Sequence, residues 1–378
     1  MGPIIDLAYQ KTPEDALALF RQKGWEQWQT LGTPHPKLER YRYLPLRKLF
    51  QWAPQESQVE APPKADIVII DGKLQECSLP QSIICMSLSE AMRPYRTILQ
   101  NHWNQAIKEE KDHFAHLNTA LQGDGVFLYI PPKTVCPHIR IINLSSSHTH
   151  SRLHIRLGQE AQGTITYTAK GTGFCNHVTE CSLDQQATLT FQQTPQMDTS
   201  SFYFDAFRAT LKKDSTLHAI HNLTGTVCTR HDYHVILTGT GADANLSGLW
   251  RLNDKLEAHT HVLVDHQAPH CTSMQHFKGI LDDVSRSSFE GKILVRKEAQ
   301  QTNAYQMNPN LILSEGAQAN CKPNLEIFAD DVKASHGATV GQLDPEHLFY
   351  LEARGIDKKQ AKHLLTEAFA REITDKLL

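Results

Sequence analysis

The chain has 378 residues, 40% hydrophobic and 21% charged, with a formal net charge of −3. That composition is ordinary for a globular protein, and the missing basic excess argues against nucleic acid or an anionic membrane as a partner. No apolar run approaches the roughly 18 residues of a membrane span, and residues 1–15 lack a basic region followed by an apolar stretch, so the expected location is cytoplasmic.

Thr12 can cap a helix opening at Pro13, with Glu14 and Asp15 in its first turn and Leu17, Leu19, Phe20, Trp25 and Trp28 as its apolar positions. Pro34 and Pro36 close it, residues 41–46 read as extended, and residues 51–64 form a proline-rich loop. Ile67 to Ile70 is a short strand with Asp71-Gly72 as its turn. From about Ser89 to Gln122 the pattern is helical again, because Ile98, Leu99, Trp103, Ile107, Phe114, Leu117 and Leu121 recur at intervals near three and four. Gly123 stops it.

At Gly125 the period changes to two. Short alternating strands follow for some two hundred residues; residues 164–168, 188–191, 201–204, 216–221, 234–237, 261–264 and 292–295 are examples. Such a series fits a sandwich, a barrel or a β-solenoid. No strict repeat is visible, but the run is long for one sandwich and lacks Asn-Gly hairpin signals, which favours the solenoid. The last segment is helical. Asp344 caps a helix whose first position is Pro345, Gly355 ends it, and Asp357 caps a second. In that second helix Ala361, Leu364, Leu365, Ala368, Phe369 and Ile373 share one face. The expected organisation is a mainly helical region 1–123, a β core 124–342 and a helical domain 343–378.

Catalytic templates are missing. There is no G-x-x-x-x-G-K-[ST] loop, H-E-x-x-H or G-x-S-x-G, and Gly171-Thr172-Gly173 and Gly239-Thr240-Gly241 lack the third glycine of a dinucleotide fingerprint. The 8 cysteines form no C-x-x-C pair, so neither a disulfide framework nor a compact zinc motif is expected. His148, His150 and His154 share a strand face and could converge on a metal, although they lie at the edge of a serine-rich turn where solvated histidines are ordinary. His218 and His221 differ in parity, as do His231 and His234, and His270-Cys271 with His276 has no known spacing.

Residues 325–342 read as a strand-to-helix junction carrying Asp330, Asp331 and His336. Adjacent strand carboxylates point to opposite faces, which argues against Asp330 and Asp331 acting on one atom and favours capping and solvation. Residue types alone lead no further than a β-rich core with helical ends and a ligand position at a junction.

An ordered series of motifs resembles the SufB/SufD family of iron–sulfur cluster assembly scaffolds: Phe277-Lys278-Gly279, SRSSFEGKI at 285–293, AQQTNAYQ at 299–306, NLILS at 310–314, KPNLEIFADDVK at 322–333 and SHGATVG at 335–341. Phe349-Tyr350-Leu351 and Ala353-Arg354-Gly355-Ile356 complete it. Gly337 after His336 is similar to the SufD branch; the SufB branch tends to carry glutamate there. The resemblance implies a right-handed parallel β-helix between an N-terminal helical region and a C-terminal helical pair. It further implies a heterodimer with a SufB-like subunit, and a SufC-like ABC ATPase docking on the C-terminal helices through Phe349, Tyr350, Arg354 and Gly355. A transient iron–sulfur cluster would be held at the heterodimer interface, with His336 as this chain's ligand and a cysteine from the partner. One position departs from the pattern: many SufD-like sequences have cysteine two residues before the histidine, where this chain has Ala334, and Cys321 is the nearest thiol in sequence.

Two other readings compete with a non-enzymatic scaffold. One is a β-helix carbohydrate lyase or hydrolase with Asp330 and Asp331 as its carboxylates; aromatics at 8% and unclustered in the strands do not favour it. The other is a metal-binding β-domain using the surplus of 21 histidines.

Overall fold

The computed structural model describes residues 8–51, 64–99 and 110–378. Trp103 and Ile107 of the second predicted helical stretch, and most of the predicted proline-rich loop, lie outside the described residues. From Ile139 onward the chain lays strands alternately into two sheets: Ile139–Ser145 joins the first, His148–Leu157 the second, and so on to Gln318–Ile327 and Val332–Gly341. Each strand pairs in parallel with its equivalents one turn away, as Phe202–Leu211 does with Phe174–Leu183 and Cys228–Leu237. The result is a mainly β protein, a parallel solenoid of about eight turns with helices at both ends.

Why no repeat is visible follows from the register. One turn takes 26 residues where Phe202 pairs with Cys228 but 32 where Arg286 pairs with Gln318. Its corners are more regular than its length. Glu160, Gln186, Asp214, Gly241, His270 and Gln301 all adopt a left-handed backbone with φ between 54° and 74°. Each is followed by a fully buried small side chain: Ala161, Ala187, Ser215, Ala242, Cys271 and Thr302. The bend needs one αL residue and one small residue tucked beneath it, and five of these six αL positions are not glycine.

The two sheets face one another across a single long apolar core, in which Tyr233, Phe277, Phe289 and Trp250 stack along the axis. Earlier residues start the stack. Ile67–Ile70 pairs in parallel with Ile139–Ser145 and turns back antiparallel into Lys73–Cys77. The predicted Asp71-Gly72 turn has φ of 48° and 79°, the mirror-image geometry that suits a twisted hairpin.

The N-terminal helices are placed differently from expectation. The first runs Ala18–Leu31 rather than from Pro13. Asp15, not Thr12, takes the orphan N–H of Leu17, because the same carboxylate is held by the buried Arg21 guanidinium. Residues 41–46 are not extended: a 3-10 turn at Glu39–Tyr41 leads to a helix at Leu46–Gln51. Burying Tyr41 and Leu44, three apart, drives that turn. The stretch 89–122 contains separate helices, Leu88–Ala91 with a Ser87/Glu90 capping box and His113–Leu121 capped by Asp112.

These helices cover the outer face of the second sheet, where Trp28, Tyr41, Phe114 and Leu117 pack on Phe174, Phe202 and Phe204. Beneath them lies a buried ionic network. Arg230 bonds Asp112 and Asp232, Arg208 bonds Glu110 and Asp232, and Tyr41 donates to Asp112 at 2.7 Å. At the other end, the helix Lys358–Thr374 packs Ala370 and Ile373 on Leu249, Ile280 and Leu311 of the first sheet. Its predicted face is only partly used, since Leu364 remains exposed.

Candidate functional site at the open end of the solenoid

Among the described residues, nothing pairs with the outer edges of the solenoid's final turn. Gln318–Ile327 ends the second sheet and Val332–Gly341 ends the first, so both present an unpaired edge. Such edges are templates for pairing with another chain unless something covers them. Exposed apolar side chains cluster on the last two turns: Tyr305, Met307, Ile327, Phe328 and Val340.

His336 lies in the middle of the last strand, not at a strand-to-helix junction; the helix begins nine residues later, at Pro345. It pairs in register with Gln306 and is exposed. Two residues before it, on the same strand face, Ala334 packs against the small apolar cluster of Ile293, Val295, Ala299, Ala304 and Ala329. A thiol at that position would sit beside the histidine at the same rim. Gly337 rests against Met307, where an added Cβ would come within 3.0 Å of the Sδ.

Cys321 occupies the other edge strand, where the Asn310 amide donates to its Sγ at 3.2 Å and also reaches the Thr339 carbonyl at 3.5 Å. Asn310 thus ties the two edges together. Burial pushes the Cys321 thiol up to about 11.

Asp330 and Asp331 fall in the corner between the two edge strands and are exposed. The Asp331 N–H donates to Gln300 Oε1 and its carbonyl accepts from Gln301 N–H. Both bonds are made by the Asp331 backbone, so neither carboxylate is used in them.

Past the last strand, Asp344 accepts the N–H of Glu346 and Asp357 accepts those of Lys359 and Gln360, so both predicted caps form. The helix Pro345–Ala353 between them buries no residue. Phe349 and Tyr350 are 72% and 57% exposed, so the helix presents aromatic side chains to solvent. The Arg354 guanidinium stacks 5.1 Å from the Tyr350 ring centroid, and Gly355, at φ 84°, reverses the chain in open space.

The histidine trio does not assemble. His148 and His150 meet, Nε2 to Nε2 at 3.0 Å, but His154 pairs with Glu180 at 2.8 Å, and Arg152 takes the same carboxylate. Burial pushes His148 down to about 4 and holds His150 well below its usual value, so both are neutral side chains packed on Phe174 beneath the helices. Parity separates His218 from His221 and His231 from His234, but His221 and His231 touch, because the contact crosses from one sheet to the other. Nothing in strand alternation reports a cross-sheet contact.

Comparison with known proteins agrees with this geometry. Residues 140–369 match the family described as SUF system FeS cluster assembly, SufBD core domain, and residues 66–140 match the SufBD protein N-terminal region. The chain is 32% identical over 317 residues to the iron–sulfur cluster assembly SufBD family protein slr0076 of Synechocystis sp., covering 79% of this chain and 70% of that one. It is 30% identical over 301 residues to the iron–sulfur cluster assembly protein SufD of Escherichia coli, covering 79% of this chain and 64% of that one. It is 33% identical over 236 residues to the SufBD family protein ML0594 of Mycobacterium leprae, covering 60% of each. No helix among the described residues is long and apolar enough to cross a membrane. A parallel β-solenoid, flanked by helices and matched from residue 66 to residue 369, makes this chain a member of the SufBD family of iron–sulfur cluster assembly proteins.

Proposed function

We propose that the chain is a non-catalytic scaffold subunit of a cytoplasmic SUF complex, most like SufD, pairing with a SufB-like subunit and a SufC-like ABC ATPase to build and pass on nascent clusters. The observation that carries this reading is His336 on an unpaired edge strand at the last turn of the solenoid. A SufB-like solenoid adding its own edge strands would cover the exposed Phe328 and Val340 and turn the rim into an interface.

His336 would then offer an imidazole to the cluster, which is cargo here. Imidazole is a borderline ligand for iron, and a mixed, under-liganded site suits a cluster that must leave. Ala334 supplies no thiolate, and on this reading the thiolate ligand comes from the partner. Phe349, Tyr350, Arg354 and Gly355 form the docking surface for the ATPase, which supplies the ATP hydrolysis that this chain lacks a P-loop to perform. The three-part division at 1–123, 124–342 and 343–378 then corresponds to a helical cover, a partner-binding solenoid and an ATPase-binding domain.

Co-expression with SufB- and SufC-like partners tests the reading. A stable three-component complex is expected, from which Phe349→Asp with Tyr350→Asp releases the ATPase but not the SufB-like subunit. A chain that stays alone under those conditions, or that by itself cleaves polysaccharide, contradicts it.

A further inference from the structure

A second cluster of metal-binding groups lies inside the solenoid, apart from the open end. Asp205 and His231 are in-register neighbours on paired strands of the second sheet, and His221 comes from the strand Thr216–Leu223 of the first. All three are buried, at 1%, 1% and 3% exposure. One ligand atom from each lies within 4.8 Å of the others.

These groups do not satisfy one another. His231 Nδ1 is 3.4 Å from Asp205 Oδ2, and His221 Nε2 is 3.9 Å from the same oxygen, both long for a hydrogen bond. His221 Nε2, one of the atoms facing that oxygen, is buried with no hydrogen-bond partner. Native cores rarely leave such atoms unpaired.

We propose that Asp205, His221 and His231 hold one first-row divalent cation, of the zinc(II) or iron(II) class, within the core. The donor set decides the class. Two imidazoles and a carboxylate suit ions of borderline softness, whereas calcium and magnesium need several more oxygens. Spacing agrees: ligands about 2.0–2.2 Å from a tetrahedral ion lie about 3.3–3.6 Å apart, close to the 3.4 and 3.9 Å separations seen. The carboxylate offsets part of the cation's charge where water cannot. Because the site is closed off, the ion enters as the chain folds, and it leaves slowly.

The test uses the full chain without partners, refolded with cobalt(II) as a spectroscopic probe and then treated with a chelator. One retained cobalt per chain is expected, with ligand-field bands of a nitrogen/oxygen site and no sulfur charge-transfer band. Asp205→Asn and His221→Gln, each checked for native far-ultraviolet circular dichroism, should lower retention at least tenfold, and His336→Ala should not change it. The wild-type chain also unfolds at higher denaturant concentration with cobalt than without, a readout that stands even if a variant does not fold. The proposal is overturned if wild type retains no cobalt, if folded Asp205→Asn and His221→Gln keep it, or if His336→Ala loses it. Assembly with SufB- and SufC-like partners is measured without cobalt, so the two readings stand or fall separately.

Discussion

Replacing Ile373 by alanine should release the C-terminal helices while leaving the solenoid intact. Ile373 is fully buried against Leu249, Ile280 and Leu311, and the only other buried residues of its helix are Ala361 and Ala370. Alanine removes three carbons, about 2.4 kcal/mol at roughly 0.8 kcal/mol per methylene, and the cavity brings the loss to about 3 kcal/mol. What remains on the seam is Ala370, the partly buried Phe369 and Leu343, and polar contacts: Lys278 donates to the Phe369 carbonyl at 2.8 Å and pairs with Glu372, and Arg251 pairs with Glu367. Both acidic partners are largely solvated, and exposed pairs contribute about 1 kcal/mol or less each. A 3 kcal/mol loss corresponds to an opening equilibrium about 100-fold larger. Hydrogen exchange should report that increase in amides 345–374, with the strands of the second sheet keeping wild-type protection. Equal loss of protection in the solenoid, or none in the helices, would refute the idea that a single apolar seam holds this domain.

Other consequences can be checked on the isolated chain. His177 and His266 are fully buried, and burial pushes each down to about 4. Between pH 6.5 and 4 the unfolded chain therefore binds two protons that the native chain refuses, and stability should fall with decreasing pH by roughly 2.7 kcal/mol per unit from these two groups. Urea midpoints across that window would show it, and His266→Gln should flatten the slope by about one proton's worth; a flat wild-type profile would contradict the assignment. Gly248→Ala places a Cβ 2.4 Å from the Phe277 ring, deep in the aromatic stack, and should cost about 1–3 kcal/mol in equilibrium unfolding. Asp330→Asn with Asp331→Asn, both exposed in a corner, should stay within about 0.5 kcal/mol of wild type.

Local chemistry was the legible part of this sequence. Caps at Asp344, Pro345, Gly355 and Asp357 are read from a few adjacent residues, and all form where expected. The solenoid itself was legible only as alternation, because turns of 26 to 32 residues blur the period and the corners bend at Glu160, Gln186 or Asp214 rather than at glycine. Of the six αL corners only Asp214, Gly241 and His270 are residue types that favour that conformation, so no residue signal marks every turn. Thr12 misled because Arg21, anchored on the sequence-distant carbonyls of Gln122 and Gly123, pairs with Asp15 and resets the helix start. The trio at 148, 150 and 154 shares a face as parity requires, but Glu180, one turn away, claims His154. His221 and His231 lie on facing sheets, and only the three-dimensional stacking brings them together. His336 was legible by motif, whereas its mid-strand position at an edge was not, since no residue announces that a solenoid stops there.

The most direct test of the central claim is anaerobic cluster formation by the complex with SufB- and SufC-like partners, comparing His336→Ala with wild type. His336 is exposed and carries no core packing, so the variant should fold and assemble normally while its cluster yield falls. An unchanged yield in an intact complex would remove His336 from the site and contradict the account.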